Sequence, residues 1–253
     1  MRLITLNTWA GNSLGPLMKF LKREAEATDI FCFQEVFHAD QKTVDAMHPG
    51  EYLCGDLFQK MDELLTDFDG YFVYADRHPE VFSLAMFVRK TVPVREVGDA
   101  VIFDAPEKEV GNFIHSPRKI QYAMIETENG PCTVANYHGI FTGGSKKDTP
   151  ERIQQSESIA AYLGKSKGRK LLCGDFNLLP DTESFGILKN GMRDLVTEHG
   201  VEKTRTPLYR HYHDASEPNF ADYILVTPDV VVSGFGVLPD IVSDHSPLFV
   251  EFS

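Results

Sequence analysis

Residues able to do chemistry recur directly beside short apolar runs. Asn7 follows Leu6, Glu35 follows Gln34, His138 follows Tyr137, and Asp175 and Asn177 follow Gly174. Asp222 opens a further run, and Asp244-His245 precedes the last one. Carboxylates, amides and imidazoles are the side chains that hold cations, orient water and carry protons. A β-strand fixes the direction of each side chain, so groups set at the ends of several strands converge on one cleft with little conformational entropy left to lose. The pattern predicts that these residues meet at one end of the sheets.

The elements that must position them are short. Apolar runs at Leu3 to Leu6, Ile30 to Phe33, Leu84 to Val88, Tyr122 to Ile125, Val134 to Tyr137, Leu171 to Cys173, Tyr223 to Val226 and Leu248 to Val250 read as buried strands. Asn129-Gly130 suits a tight turn, which pairs the Tyr122 and Val134 runs as an antiparallel hairpin. Leu17, Phe20 and Leu21 recur at helical spacing after Pro16. A second helix starts from Thr149 as N-cap, with Pro150 in its first turn, and runs through Ile153 to Leu163; a third, shorter one covers Thr182 to Leu188. No linker or repeat interrupts the order, so residues 1–253 are expected to form one domain. Helices between some strands and hairpins between others predict an α/β fold: a four-layer α/β sandwich of two packed mixed β-sheets flanked by helices.

The blocks Leu6-Asn7-Thr8-Trp9, Phe33-Gln34-Glu35-Val36, Gly174-Asp175-Phe176-Asn177 and Ser243-Asp244-His245-Ser246-Pro247, in this order across nearly the whole chain, resemble the endonuclease/exonuclease/phosphatase family. The resemblance implies a Mg²⁺-dependent phosphoester hydrolase, a phosphodiesterase or phosphatase with nucleases among its relatives, using in-line attack of a metal-organised water. Mg²⁺ would be replaceable by Mn²⁺. Carried over to this chain, the family pattern makes Glu35 the principal metal ligand, since a carboxylate suits a hard cation. Asn7 and Asp244 would add oxygens directly or through water. Asp175 would orient or deprotonate the attacking water, and Asn177 would hold it or the phosphate in line. His245 would meet a non-bridging phosphate oxygen or transfer a proton, with Asp222 fixing its tautomer. His138 fits a histidine beside the leaving group, in the general-acid position. Asp76 and Glu80 lie near a candidate strand in sequence, but neither has the spacing expected of a partner for His138. Arg118 is a candidate phosphate contact, and the stretch Gly139, Gly143-Gly144, Lys146, Lys147 and Asp148 is either a phosphate-binding loop or a solvated surface loop.

The remaining composition bounds the substrate and setting. Thirty-seven acidic against 25 basic residues give a net charge of −12, which disfavours a general polyanion binder but leaves a locally cationic cleft open. The substrate classes left open are a nucleic acid, a nucleotide, an inositol phosphate and a phospholipid. Cys32, Cys54, Cys132 and Cys173 lack metal-type spacing and read as buried free thiols, with Trp9 as core packing. No signal peptide or transmembrane run is visible, so a cytoplasmic monomer is the expectation. Each site residue has a structural alternative when taken singly: Asn7 bridging a strand end, Glu35 a surface acid, Asp175 and Asn177 turn formers, His138 a core histidine, Asp222 a strand cap, Asp244-His245 a turn. Their joint occurrence favours a site. Two functional rivals stand: a catalytically silent phosphate-ligand binder on the same fold, and a zinc hydrolase using His211 and His213 beside Asp214.

Overall fold

The computed structural model describes residues 1–74, 83–104, 117–141, 143, 145–214 and 219–253. β1 (Arg2–Asn7), β2 (Ile30–Val36), β3 (Phe68–Val73) and β4 (Ser83–Arg89) share one sheet with two late strands, β11 (Val232–Val237) and β12 (Leu248–Phe252). The other sheet holds β5 (Val94–Phe103), β6 (Arg118–Thr127), β7 (Gly130–His138), β8 (Arg169–Asp175), β9 (Arg193–Asp194) and β10 (Asp222–Val226). The strand orders are β11-β12-β1-β2-β4-β3 and β5-β6-β7-β8-β10-β9. At the middle of each sheet lies a parallel pair, β1 with β2 and β7 with β8, while the other pairings are antiparallel. A parallel pair needs a crossover, and the helices α1 (Leu14–Glu24) and α4 (Pro150–Lys165) supply the two. The remaining helices are α2 (Gln41–Met47), α3 (Leu57–Leu64), α5 (Glu183–Lys189) and α6 (Leu195–Glu198).

Alternation along β1 and β2 builds the layers. Leu3, Ile30 and Cys32 face the second sheet and join Val134, Leu171 and Cys173 in one apolar cluster. Ile4, Leu6, Phe31 and Phe33 face outward onto Leu17, Phe20 and Leu21 of α1 and Leu57 and Met61 of α3. Each such fully buried side chain contributes roughly 1.5–3 kcal/mol. On the far side, Tyr137, Phe176, Phe185 and Tyr223 form an aromatic group beneath α5, with neighbouring centroids 4.4–6.2 Å apart. The result is the sandwich expected from the sequence, two mixed sheets with helices on the outside.

The predicted helices are present. Thr149 caps α4 by accepting from Arg152 N, Pro150 stands in the first turn, and Thr182 caps α5 by accepting from Phe185 N. The β6–β7 hairpin closes on the pair Thr127 and Gly130, with Gly130 at φ 98°. Trp9, expected in the core, is only partly buried, because Trp9, Ala10 and Gly11 turn left-handed at φ 50°, 48° and 73° and carry the chain away from the sheet. All four cysteines are free and buried. No described helix is long and apolar enough to cross a membrane.

Candidate active site

The carboxyl ends of the two central parallel pairs lie at the same end of the sandwich, where strand ends in α/β proteins commonly leave room for a ligand. In the second sheet the register sets His138, Asp175 and Asp222 in one row across β7, β8 and β10. Their side chains therefore share a face without help from any loop. In the first sheet Asn7 ends β1 opposite Gln34.

Glu35 reaches this group by a local irregularity. Simple alternation puts it with Phe31 and Phe33, on the outer face. Instead the β2–β4 register shifts between Phe33 and Val36, and Glu35 adopts φ 56°, a β-bulge that turns its carboxylate inward. Asn7 Nδ2 then donates to both Glu35 Oε1 and Asp175 Oδ2 at 2.9 Å, tying the two sheets' carboxylates together. Asn7 Oδ1 accepts from Trp9 N, which fixes the orientation of the amide.

Beneath the bulge, Asn136 Nδ2 donates to Phe33 O, Ala85 O and Gln121 Oε1, and its Oδ1 accepts from Gln34 Nε2 at 2.7 Å. These buried amides satisfy carbonyls beside the register shift, and so support the geometry of Glu35.

The Gly174-to-Asn177 block has a separate local cause. A Cβ on Gly174, at φ 137°, would lie 2.0 Å from Tyr137 O, so only glycine lets β7 and β8 approach here. Phe176 anchors the turn in the aromatic group, and Asn177, at φ 52°, donates its backbone N–H to Asp175 Oδ1 at 3.0 Å. Its Nδ2 donates to Gly139 O.

His245 is held by Asp222, whose two oxygens each lie 2.9 Å from Nδ1, leaving Nε2 facing Asp175 Oδ2 at 3.5 Å and Asp244 Oδ1 at 3.8 Å. His138 Nε2 lies 3.5 Å from Asp175 Oδ2 and 3.8 Å from Glu35 Oε1. Asp76 and Glu80, weighed as its partners, lie outside the described residues.

Electrostatics separates these groups. Burial pushes Glu35 up to about 7, against the Asn7 hydrogen bond and with help from the negative charges of Asp244 and Asp175. Burial also opposes the Asp175 charge, but His245, His138, Arg205 and Lys146 outweigh it and hold the carboxyl well below the usual range. Burial lowers His138 to about 4, aided by Arg118 and His245 and opposed by Asp175. Burial and Arg205 work against a charged His245, yet Asp222, Asp244 and Asp175 raise it above the ordinary histidine value.

This assembly of carboxylates and imidazoles from both sheets is matched in sequence over residues 4–245 by the model of the Endonuclease/Exonuclease/phosphatase family. The chain belongs to that family. It is accordingly a phosphoester hydrolase by class. Against curated proteins no relative matches. Among solved structures, an endonuclease/exonuclease/phosphatase from Bacteroides vulgatus is 20% identical, with TM-score 0.76 over 100% of this chain and 98% of that one. A mannosyl-6-phosphatase from Bacteroides thetaiotaomicron is 19% identical, with TM-score 0.72 over 100% of this chain and 99% of that one. The human Nocturnin catalytic domain with a bound sulfate anion is 17% identical, with TM-score 0.68, over 100% of this chain and 94% of that one.

In this endonuclease/exonuclease/phosphatase domain the other candidates divide. Arg118 is buried at the start of β6, close enough for its charge to lower His138. Lys146 is also buried; its Nζ donates to Phe220 O, and burial and Arg205 bring it down to about 8. The stretch around it is no solvated loop at this point, because Arg152 donates to Ile140 O and Lys147 O from α4. Asp148, however, accepts from Glu183 N and Ser184 N as a cap of α5, Lys147 is exposed, and Gly144 lies outside the described residues.

His211 packs edge-on against Tyr209 and His213 against Tyr212. Among the described residues, the His and acidic clusters with metal-holding geometry are Glu35 with His138 and Asp175, and Asp175 with Asp222 and His245, not this pair. Sequence reasoning passed over Arg205, which is buried beside Asp244 with Nη1 2.8 Å from Oδ2. It sits in the polar stretch Thr204-Arg205-Thr206-Pro207, where Lys203 and Arg210 are cations close by and nothing in the sequence singles it out.

Proposed function

We propose that the chain is a Mg²⁺-dependent phosphoester hydrolase that uses a positioned water as nucleophile. The observation that carries this reading is Asn7 bridging Glu35 and Asp175 at 2.9 Å, which makes one acidic mouth from two sheets. The donor set suits a hard cation: Glu35, held by Asn7, and Asp244 offer carboxylate oxygens, and Glu35, raised chiefly by burial and further by the charges of Asp244 and Asp175, is a carboxylate whose ionised form a divalent ion would stabilise. Bound there by Glu35 and Asp244, with Asn7 alongside, such an ion would withdraw charge from the phosphoryl oxygens.

The protein's own groups do the rest. Asp175, held ionised by the cations around it and oriented by Asn177 N–H, takes a proton from the attacking water. His245, charged and clamped through Nδ1 by Asp222, offers Nε2–H to a non-bridging phosphoryl oxygen as negative charge builds there. His138, neutral in the free enzyme, stands on the leaving-group side and gains its proton as the phosphate's charge enters the cleft. Arg118, near His138, contributes positive charge at the same edge.

The test is a hydrolysis panel with Mg²⁺ or Mn²⁺ across nucleic acids, nucleotides, inositol phosphates, sugar phosphates and choline phospholipids. Metal-dependent release from at least one class is expected. Binding without turnover of every class would instead identify a silent ligand-binding protein.

A further inference from the structure

Arg205 is buried beside Asp244 and helps to keep Asp175 ionised, but the chemistry above gives it no contact with substrate. The segment Thr204–Thr206 is clamped along Asp244–Ser246: Thr206 N donates to Asp244 O at 3.0 Å, Ser246 N to Thr204 O at 2.8 Å, and Arg205 forms a bridge with His245. Thr204 Oγ1 also accepts from Ala221 N and Asp222 N, so one short ribbon ties together the segments bearing Asp222, Asp244 and His245.

The guanidinium on that ribbon is fixed twice, by Asp244 Oδ2 on one edge and by the Tyr209 ring 4.5 Å from its carbon. The side chain is only 7% exposed. A guanidinium carries five N–H donors. Among the described residues Asp244 is its one hydrogen-bond acceptor, and Nε is buried with no partner at all. Burying such a donor unpaired is unfavourable unless something arrives to accept from it. Its bridge to His245 and its ion pair with Asp244 set it beside the reacting centre, and its charge is felt by Asp175, Asp222, His138 and His245.

We propose that Arg205 binds a non-bridging oxygen of the substrate's phosphoryl group, which makes it the substrate-recognition cation of this site; the assignment rests on the phosphoester reading above. A planar guanidinium fits a phosphoryl group with parallel N–H donors, whereas an ammonium meets it as a point charge. The alternative is a purely structural tie that holds Asp244 in place, and the two differ in what they do to anion and cation binding.

Inorganic phosphate binding to the Mg²⁺-loaded protein, measured by calorimetry, separates them when paired with a Mg²⁺ titration of the same variant. Arg205→Gln is expected to weaken phosphate at least tenfold while Mg²⁺ affinity stays within threefold. Arg205→Lys, which keeps a cation opposite Asp244 and protects the fold, is expected to weaken phosphate by at least threefold. Phosphate affinity within twofold of the parent in either folded variant overturns the proposal. So does a loss of Mg²⁺ affinity as large as the loss of phosphate affinity. Parent protein that neither hydrolyses any phosphoester nor binds phosphate sinks the phosphoester reading itself, and Arg205's role with it. Parent protein that does both, with Arg205→Gln binding just as tightly, removes only this assignment.

Discussion

His138 and His245 flank the same Asp175 oxygen at 3.5 Å, yet their surroundings push them in opposite directions. His245 has the Asp222 carboxylate on Nδ1; His138 has no hydrogen-bond partner there and feels Arg118 and His245. In the metal-free protein, the His245 ring is expected to titrate above the ordinary histidine value and His138 near 4, followed by NMR of the imidazole nitrogens. Asp222→Asn should bring His245 down and, by removing that neighbouring positive charge, let His138 rise. A stability consequence follows from the lowered group. Between about pH 6.5 and 4 the unfolded chain binds a proton at His138 that the folded chain refuses, so this residue costs stability as pH falls through that window. Urea unfolding at pH 7 and pH 4.5 should show His138→Gln losing less than the parent, by on the order of 2 kcal/mol. An equal loss in both proteins would refute the burial argument. At this scale the sequence was informative: Asn7, Glu35, His138, Asp175, Asp222, Asp244 and His245 are brought together. Arg205 was not legible, since one of three cations from Lys203 to Arg210 has no periodicity to mark it, and it gains meaning only from the ribbon packed on His245.

Strands with neighbours on both sides left a strong mark in the sequence. β1, β2, β4, β6, β7, β8, β10 and β12 are interior to their sheets, and each carries one of the apolar runs. β3, β5, β9 and β11 are the sheet edges among the described residues, and none was foreseen. An edge strand faces solvent along one side and favours charge and glycine. Val94–Phe103 accordingly carries Arg95, Glu96 and Asp99, and Val232–Val237 carries Gly234 and Gly236. The bulge at Glu35 was equally hidden, because an extra residue in a strand depends on the amides that support it from the opposite sheet. Asn136→Ala tests that support. Leaving the Gln34 amide and the carbonyls of Phe33 and Ala85 short of partners should cost about 1–3 kcal/mol in urea unfolding. Relaxation of the bulge should also weaken Mg²⁺ in a calorimetric titration. Loss of stability with unchanged Mg²⁺ affinity would show that Asn136 serves the core alone.

Across the whole molecule, two central parallel pairs aim their carboxyl ends at one mouth, so chain segments distant in sequence act together. The negative charge gathered there should make the fold respond to divalent ions. At a hundred times its Kd, Mg²⁺ is expected to add about 2.7 kcal/mol by mass action. For a chain of this size that corresponds to a rise in melting temperature of roughly 5–10 °C. Glu35→Gln should abolish most of the rise, and a parent protein whose melting temperature ignores Mg²⁺ would argue against the metal site. The overall charge of −12 gave no hint of this mouth, because its cations Arg118, Lys146 and Arg205 are buried and local. The most direct test is turnover of the best panel substrate by Asp175→Asn at saturating Mg²⁺, with circular dichroism to confirm the fold. A carboxylate that takes the water's proton predicts a loss of about 10²–10⁴-fold in kcat. Turnover equal to the parent, in a folded and metal-loaded variant, would contradict the account.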